Sequence, residues 1–507
     1  MRFVLRLALP VLLLFPVAVA AQQVMSAHTL VEAIEQHGSS GTSIEPASTP
    51  VPMLMTMRGS GSGGWQFMLH ANAFAANTQQ QADSPRDVSE RGRDAFFSTN
   101  WIMPMAQRQL GDHGRFGQLT LRAMLSLEPA TISHRNYPLL FQQGETAYGA
   151  PIVDGQHPHD FFMEVAALYD LKLSPNTLLS FYAAPVGDPS IGPTAFPHRQ
   201  SASEDPIAAL GHHQEDSTHI AFNVLTGGLT FRTVRLELSG FHGAEPTEAH
   251  WHFEPSPNGH AIDSVATRLT VSPSADWTGQ YSLAHIHSTE ALYPKEDQQR
   301  QTASVMYHHT FRSKPMPAMP GMKMNDMSKM PGMKTNDMSK MPGMDMSGSA
   351  AKPMPPQPTA QAQSSGQQPA AMPMMHMAPE PTTDLATTLV WGRTRSLTDD
   401  SKENSYLAEA LLRFASTNYL WTRLEDAGRS NELLLTPGTP LPEDFIEQPI
   451  GHVAAFTFGY DHDLPLGPHI LAAPGAQFTV YRAPSALRTV YGATPTAEQI
   501  FIRFRLR

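Results

Sequence analysis

Segments of about ten residues in which apolar and polar side chains alternate recur along most of this chain. Leu119, Leu121, Ala123, Leu125 and Leu127 share one parity, against Gln118, Thr120, Arg122 and Ser126. Val234, Leu236 and Leu238 oppose Arg235, Glu237 and Ser239, and Val265, Thr267, Leu269 and Val271 oppose Ser264, Arg268 and Thr270. Ile500, Ile502, Phe504 and Leu506 oppose Gln499, Arg503 and Arg505. A period of two belongs to strands with unlike faces. Charge recurs on the polar face, and a sandwich core does not tolerate unpaired charge. An apolar exterior around a polar lumen accounts for the pattern, so the expected fold is all-β, a transmembrane antiparallel β-barrel. The alternative is a secreted sandwich with its charged face in water.

Sixteen such segments are read, near 64–74, 98–108, 115–127, 162–173, 176–184, 216–226, 228–241, 260–272, 275–287, 300–312, 382–394, 403–415, 416–425, 450–462, 468–482 and 498–507. Bacterial barrels use an even number; segment ends allow about 14–18. Odd-to-even links are long (75–97, 128–161, 185–215, 242–259, 425–449, 483–497), with 394–402 the short exception. Even-to-odd links are short: LGDHGR, LSPN, TGG, SPSAD, STN and DLPLG. Short turns face the periplasm. The first 20 residues read as a secretory signal, with Arg2 and Arg6 before the apolar Leu7–Val17 and a small-residue cleavage site at Ala18-Val19-Ala20. The expected organisation is signal 1–20, a periplasmic linker 21–63 with one helical turn near His28–Gln36, barrel 64–312, a Met/Pro-rich insert 313–381, and barrel 382–507. The insert follows the tenth strand, which puts it on the periplasmic side by this count.

Composition adds a second theme. Net charge is −11, which gives no footprint for nucleic acid. Cys is absent, leaving Met and His as the soft and borderline metal ligands. Sixteen of the 27 Met lie in 313–381, where MPGMKMNDMSK starts at Met319, repeats from Met330 and begins again at Met341. Pro-Gly in each copy opposes a helix, and the lack of aliphatic and aromatic residues predicts disorder. Thioethers suit Cu(I) and Ag(I). The candidate ligands are Met319, Met322, Met324, Met327, Met330, Met333, Met338, Met341, Met344 and Met346, with His376. A Met-biased linker is the plainer reading.

Two further clusters open downward strands: QHPHDFFME (156–164) and GHHQEDSTH (211–219). His157, His159, Asp160, His212, His213 and His219, with Glu215, have the chemistry of a Zn(II) or Cu(II) site. The competing reading is a hydrogen-bonded network that fastens loops over the mouth, with Arg135 and Arg199 as partners. Alternation puts Asp160, Glu164 and Asp170 in the lumen and Phe161, Met163 and Val165 on the lipid face. His250, His252, His260, His285 and His287 read as surface histidines. Lumen arginines (Arg122, Arg235, Arg268, Arg413, Arg503, Arg505) and acids (Glu164, Asp170, Glu237, Glu409) either tune a pore or plug it by ion pairing. No G-x-S-x-G, HExxH or P-loop occurs, so no enzymatic activity is expected.

The stretches STNWIMPMAQRQL, LRAMLSLEPATI, YPLLFQQGETAYGAPIVDGQHPHDFFMEVA, GHHQEDSTHIAFNV and ASVMYHH resemble a family of bacterial outer-membrane β-barrel proteins sometimes found among metal-resistance genes. The likeness spans most of 64–507 outside the insert. The Met-rich segment is similar in design to that of the copper-resistance B proteins, which carry it before the barrel rather than inside. Both resemblances imply an outer-membrane location, with membrane lipid and the barrel-assembly machinery as partners. They also imply a role in binding or tolerance of copper or silver ions. A passive porin for small solutes and a plugged structural barrel are the alternatives; oligomeric state is left open.

Overall fold

Each alternating segment pairs with the next in chain order. A computed structural model of the chain describes residues 21–25, 27–58, 63–82, 94–132, 139–142, 146–147, 150–151, 159–216, 221–246, 249–252, 262–287, 295–311, 382–435 and 445–506. The expected signal (1–20) and Met-rich insert (313–381) lie outside these residues. Sixteen strands form the ring: β1 (Trp65–Gln81), β2 (Ala95–Gln109), β3 (Gln118–Leu125), β4 (Phe162–Ser174), β5 (Thr177–Gly187), β6 (Ala221–Phe231), β7 (Val234–His242) and β8 (Ser264–Ser274) make the first half. The second half is β9 (Trp277–Ile286), β10 (Gln298–Phe311), β11 (Thr383–Ser396), β12 (Lys402–Phe414), β13 (Asn418–Ser430), β14 (Pro449–His462), β15 (Ile470–Arg482) and β16 (Thr496–Leu506). Every neighbour pair is antiparallel, and β16 closes on β1 through Thr496–Arg505 against Asn72–Gln81. Closure leaves no open edge, as strands that cross lipid require.

The side-chain alternation follows the ring. Leu229, Phe231, Leu236, Leu238, Val265, Leu269, Ile500 and Ile502 are exposed on the outer face. Arg122, Glu164, Asp170, Arg235, Glu237, Arg268, Glu409 and Arg503 are buried inside. An apolar belt of this extent is a lipid-facing surface. The chain is therefore a β-barrel of the bacterial outer membrane. Among the described residues no helix is long and apolar enough to span; the strands do the crossing. The short turns 110–117, 175–176, 232–233, 275–276, 415–417 and 463–469 share one end with the start of β1 and the end of β16. Phe311 and Thr383, the paired ends of β10 and β11, lie at that end too.

Three local expectations are corrected. The Thr-Gly-Gly at 226–228 is not a turn: the hairpin turns at Arg232-Thr233, with Arg232 at φ 55°. Gly228 instead makes room in the lumen, because a Cβ there would stand 3.2 Å from Arg235 Nε and 3.4 Å from Glu237 Cγ. Met163 does not face lipid. The β3–β4 register slips between Met124 and Leu125, which turns Met163 inward. The stretch read as a linker also takes ordered form between Ala27 and Arg58. Helix α1 (Leu30–Gln36) is N-capped by Thr29, whose Oγ1 accepts from Glu32 N at 3.2 Å, while Glu32 Oε2 accepts from His28 N, one residue before the cap, at 2.8 Å. His37 ends it in the left-handed region at φ 51°. Leu30, Val31 and Ile34 pack with Ile44 against Leu178, an inward position of β5, so the helix lies inside the barrel. An N-terminal strand (Val51–Arg58) then runs antiparallel to β1, pairing Leu54–Arg58 with Trp65–Leu69, and also pairs with Ala21–Met25.

Leu269→Arg, in the middle of β8 on the lipid face, is expected to destabilise the barrel by about 2–4 kcal/mol in guanidinium titrations of protein refolded into vesicles. Asp112→Arg, in an exposed turn, is expected to change stability by no more than about 0.5 kcal/mol.

Candidate functional site: the occupied lumen

Residues 37–49 carry small polar side chains and offer mostly backbone groups to the wall. Arg122 of β3 receives them. Its Nη1 donates to Ser39 O and its Nη2 to Gly41 O, each at 2.6 Å. Its Nε and Nη2 also donate to Glu164, at 2.8 and 2.7 Å, and both side chains are wholly buried. Glu164 in turn accepts from Gly41 N at 3.1 Å and Tyr182 OH at 2.7 Å. A guanidinium fork satisfies this many acceptors at once. Gly41 sits at φ 58°, and a Cβ there would fall 2.5 Å from Asp188 Cβ, so no other residue fits. Further contacts extend the grip: His37 Nε2 lies 2.7 Å from Asp170 Oδ2, and Arg268 donates to Thr42 Oγ1 at 2.9 Å and to Glu237 at 2.9 Å. The N-terminal segment is a plug.

The loop 188–216 enters from the opposite end. It leaves β5 and crosses the lumen to strands half-way round the ring. Arg199 pairs with Asp216 and Glu409, and Ser201 donates to Glu409 at 2.8 Å. Arg423 pairs with Asp205 at 2.8 Å and Glu409 at 3.3 Å. Arg503 pairs with Glu204, with Asp461 at 3.3 Å and with Asp463 at 3.0 Å. The short helix α2 (His212–Glu215) docks against β12, where Ser405 Oγ donates to Glu215 Oε1 at 2.6 Å. Plug and loop meet where Gln200 N donates to Glu45 Oε2 at 3.4 Å. Burial pushes Glu45 up to about 7 and Glu215 up to about 8, and raises Asp188, Asp205 and Asp216 as well. Burial also holds His198 well below the usual imidazole range.

The residues singled out in the sequence are distributed as follows. His159 pairs with Glu128 at 2.9 Å, and Asp160 pairs with His250 at 2.7 Å. His250 is thus buried rather than a surface residue. His159 and His212 flank Phe196, with ring centroids 5.8 and 6.1 Å from it, so an aromatic ring separates them. His213 lies beside His212, its ring tilted 51° to it, and lines a cavity of about 90 Å³ at the long-loop end, with Glu245, Glu296, Glu403 and Arg300. Among the described residues no three of His, Asp or Glu converge as a metal site. His157, His219 and Arg135 lie outside the described residues, as do His376 and the candidate ligands Met319 to Met346. His285 and His287 stand exposed beside Asp297, as alternation predicts. Sequence reasoning missed the plug, and it missed His70, Trp101, Met103 and Met105 as neighbours. The signal was available, since even positions of β1 and odd positions of β2 face the lumen.

No family model matches the sequence, and no curated protein matches it. Among solved structures, OmpT, an outer membrane protein of Vibrio cholerae, is 7% identical, with a TM-score of 0.41 over 89% of this chain and 99% of that one. The outer membrane channel DcaP of Acinetobacter baumannii is 8% identical, with a TM-score of 0.39 over 88% and 99%. A porin is 8% identical, with a TM-score of 0.36 over 87% and 99%. The barrel of this chain is established by its own strand pairing.

Arg122→Ala leaves Glu164 buried without its counter-ion, a loss of about 3–5 kcal/mol for such pairs. Residues 27–50 are then expected to leave the lumen. Planar-bilayer recordings should change from rare openings to long conducting steps, with Arg122→Lys, which cannot fork, in between. A second outcome concerns pH. The docked state favours neutral Glu45 and Glu215, so their contribution is complete below the ordinary value of 4.5 and is lost as pH rises through about 7 and about 8. His198 has the opposite sign and weakens docking as pH falls below 6.5. Open probability is expected to rise between about pH 4.5 and about pH 8, with His198 opposing the lower part of that rise, and Glu215→Gln to flatten the upper part.

Proposed function

We propose that this outer-membrane barrel is closed at rest by its own chain and serves the binding or tolerance of soft metal ions, copper(I) or silver(I). In this reading the stretch 313–381 is the collecting segment. The observation that carries it is the concentration of sixteen of the 27 Met in that stretch, at MxxM and MxM spacing. Neutral thioether sulfur suits Cu(I) and Ag(I), and a chain with many such sulfurs can surround an ion that water holds weakly. The stretch joins the barrel at the short-turn end, where ions on the periplasmic side would meet it. The chain acts here as a binding and gating device rather than as an enzyme.

A passive porin for small solutes is the second reading. The cavity of about 90 Å³ at the long-loop end, lined by four glutamates against two arginines, favours it as a cation vestibule. The lumen, blocked once by residues 27–50 and again by 188–216, weighs against free diffusion.

Deletion of 313–381 separates the two. Copper and silver tolerance of cells is expected to fall several-fold, with barrel assembly and bilayer conductance unchanged. If tolerance is unchanged while solute flux persists, the porin reading stands in its place.

A further inference from the structure

Eleven Met lie outside 313–381, and seven of them pack into one cluster: Met53, Met55, Met68, Met103, Met105, Met124 and Met163. They come from five separate elements, namely the N-terminal strand and β1 to β4. The other large interior clusters are built from Leu, Ala, Phe, Tyr, Trp, Ile and Val and contain no Met. Met fills irregular gaps well, which alone would explain one or two of them. It does not explain why the sulfur is gathered at one place in a lumen otherwise filled with Ala, aromatics and ion pairs.

Two imidazoles border the same cluster. His198, on the loop from the long-loop end, has its Nε2 3.3 Å from Met124 Sδ. His70 of β1 stands with its ring 5.9 Å from that of His198, and Trp101 contacts both, at 4.6 and 4.3 Å between centroids. The Nδ1 atoms of His70 and His198 are buried and have no hydrogen-bond partner, though each residue keeps some exposure elsewhere. A buried imidazole nitrogen without a partner is unfavourable, and a metal ion bound at it would satisfy it. The Nε2 contact sets the His198 ring beside the Met124 thioether and leaves Nδ1 as the nitrogen open to an ion.

We propose that this cluster is a binding site for a soft monovalent cation, Cu(I) or Ag(I), held by thioethers including Met124, Met103 and Met68 and by the imidazoles of His198 and His70. The donor set is neutral. The carboxylate on the adjoining wall, Glu164, is committed to Arg122. A site of thioether and imidazole without carboxylate disfavours Mg(II) and Ca(II), which need oxygen ligands, and suits a soft ion of single charge. The site also joins three parts of the closed state, since Met53 and Met55 belong to the N-terminal strand, Met68, Met103 and Met124 to the wall, and His198 to the inward loop. It rests on the reading above only for the class of ion, because it uses no residue of 313–381.

Trp101 is the reporter. Silver nitrate, in chloride-free buffer, is titrated into the full-length protein in detergent, and the same is done with Trp101→Phe; the difference isolates Trp101 from ions taken up elsewhere. Saturable quenching of the Trp101 signal is expected. Met103→Leu combined with Met124→Leu, a change close in volume, is expected to weaken the ion affinity read from that quenching by at least about tenfold, the loss typical even of outer-shell partners. His198→Gln should do the same. Melting of each variant without silver, matched to the native protein, confirms that the barrel is intact. No Trp101 response at saturating silver, or an equal response in the Leu variant, overturns the proposal. The deletion experiment above reads cell tolerance through 313–381, so either result can fail alone.

Discussion

The pairing of Thr496–Arg505 with Asn72–Gln81 closes a ring of backbone hydrogen bonds, and the rest of the molecule follows from that closure. In hydrocarbon an unpaired peptide group has no water to turn to, so an open edge is excluded. A closed ring fixes the parity of every strand. Apolar positions must then meet lipid, and Arg122, Glu164, Arg235, Glu237, Arg268, Arg423 and Arg503 must face inward. A ring of this size with so much interior charge needs either water or protein inside. The chain supplies protein, from its N-terminus and from the loop 188–216.

The filling is held by buried ion pairs rather than by a large apolar core. Such pairs add little net stability against a well-packed apolar alternative, but removing one partner is costly. That asymmetry suits a gate. The intact network is ordered and specific, while a single protonation or ligand change unbalances it. Glu45 and Glu215 stand where plug and loop meet the wall, and both are held close to neutrality by burial.

Much of the barrel was legible in the sequence because lipid and lumen impose period two on it. Strand number and the asymmetry of the connections could be read directly. The hairpin at Arg232-Thr233 could not, because Gly227-Gly228 carries a turn signal although Gly228 serves to seat Arg235 and Glu237. Met163 escaped because a register slip breaks the alternation that parity relies on. The plug was illegible for a different reason. Ser39, Gly41 and Thr42 act chiefly through backbone carbonyls, which every residue possesses, so their composition reads as linker. The Met/His cluster was legible in fragments. Met68, His70, Trp101, Met103 and Met105 share the lumen face of one hairpin, but Met53 and His198 arrive from distant chain and only tertiary structure unites them.

The plug precedes the first barrel strand and is tied to it. Only residues 59–64 separate Arg58 from Trp65, a tether of at most about 20 Å. Because the Val51–Arg58 strand stays paired to β1, a released segment pivots from Val51 and never drifts away. Its return is an intramolecular event at an effective concentration in the millimolar range. Reclosure should therefore be rapid and indifferent to how much of the protein the membrane contains, a cork on a short string rather than a ligand that must be found again.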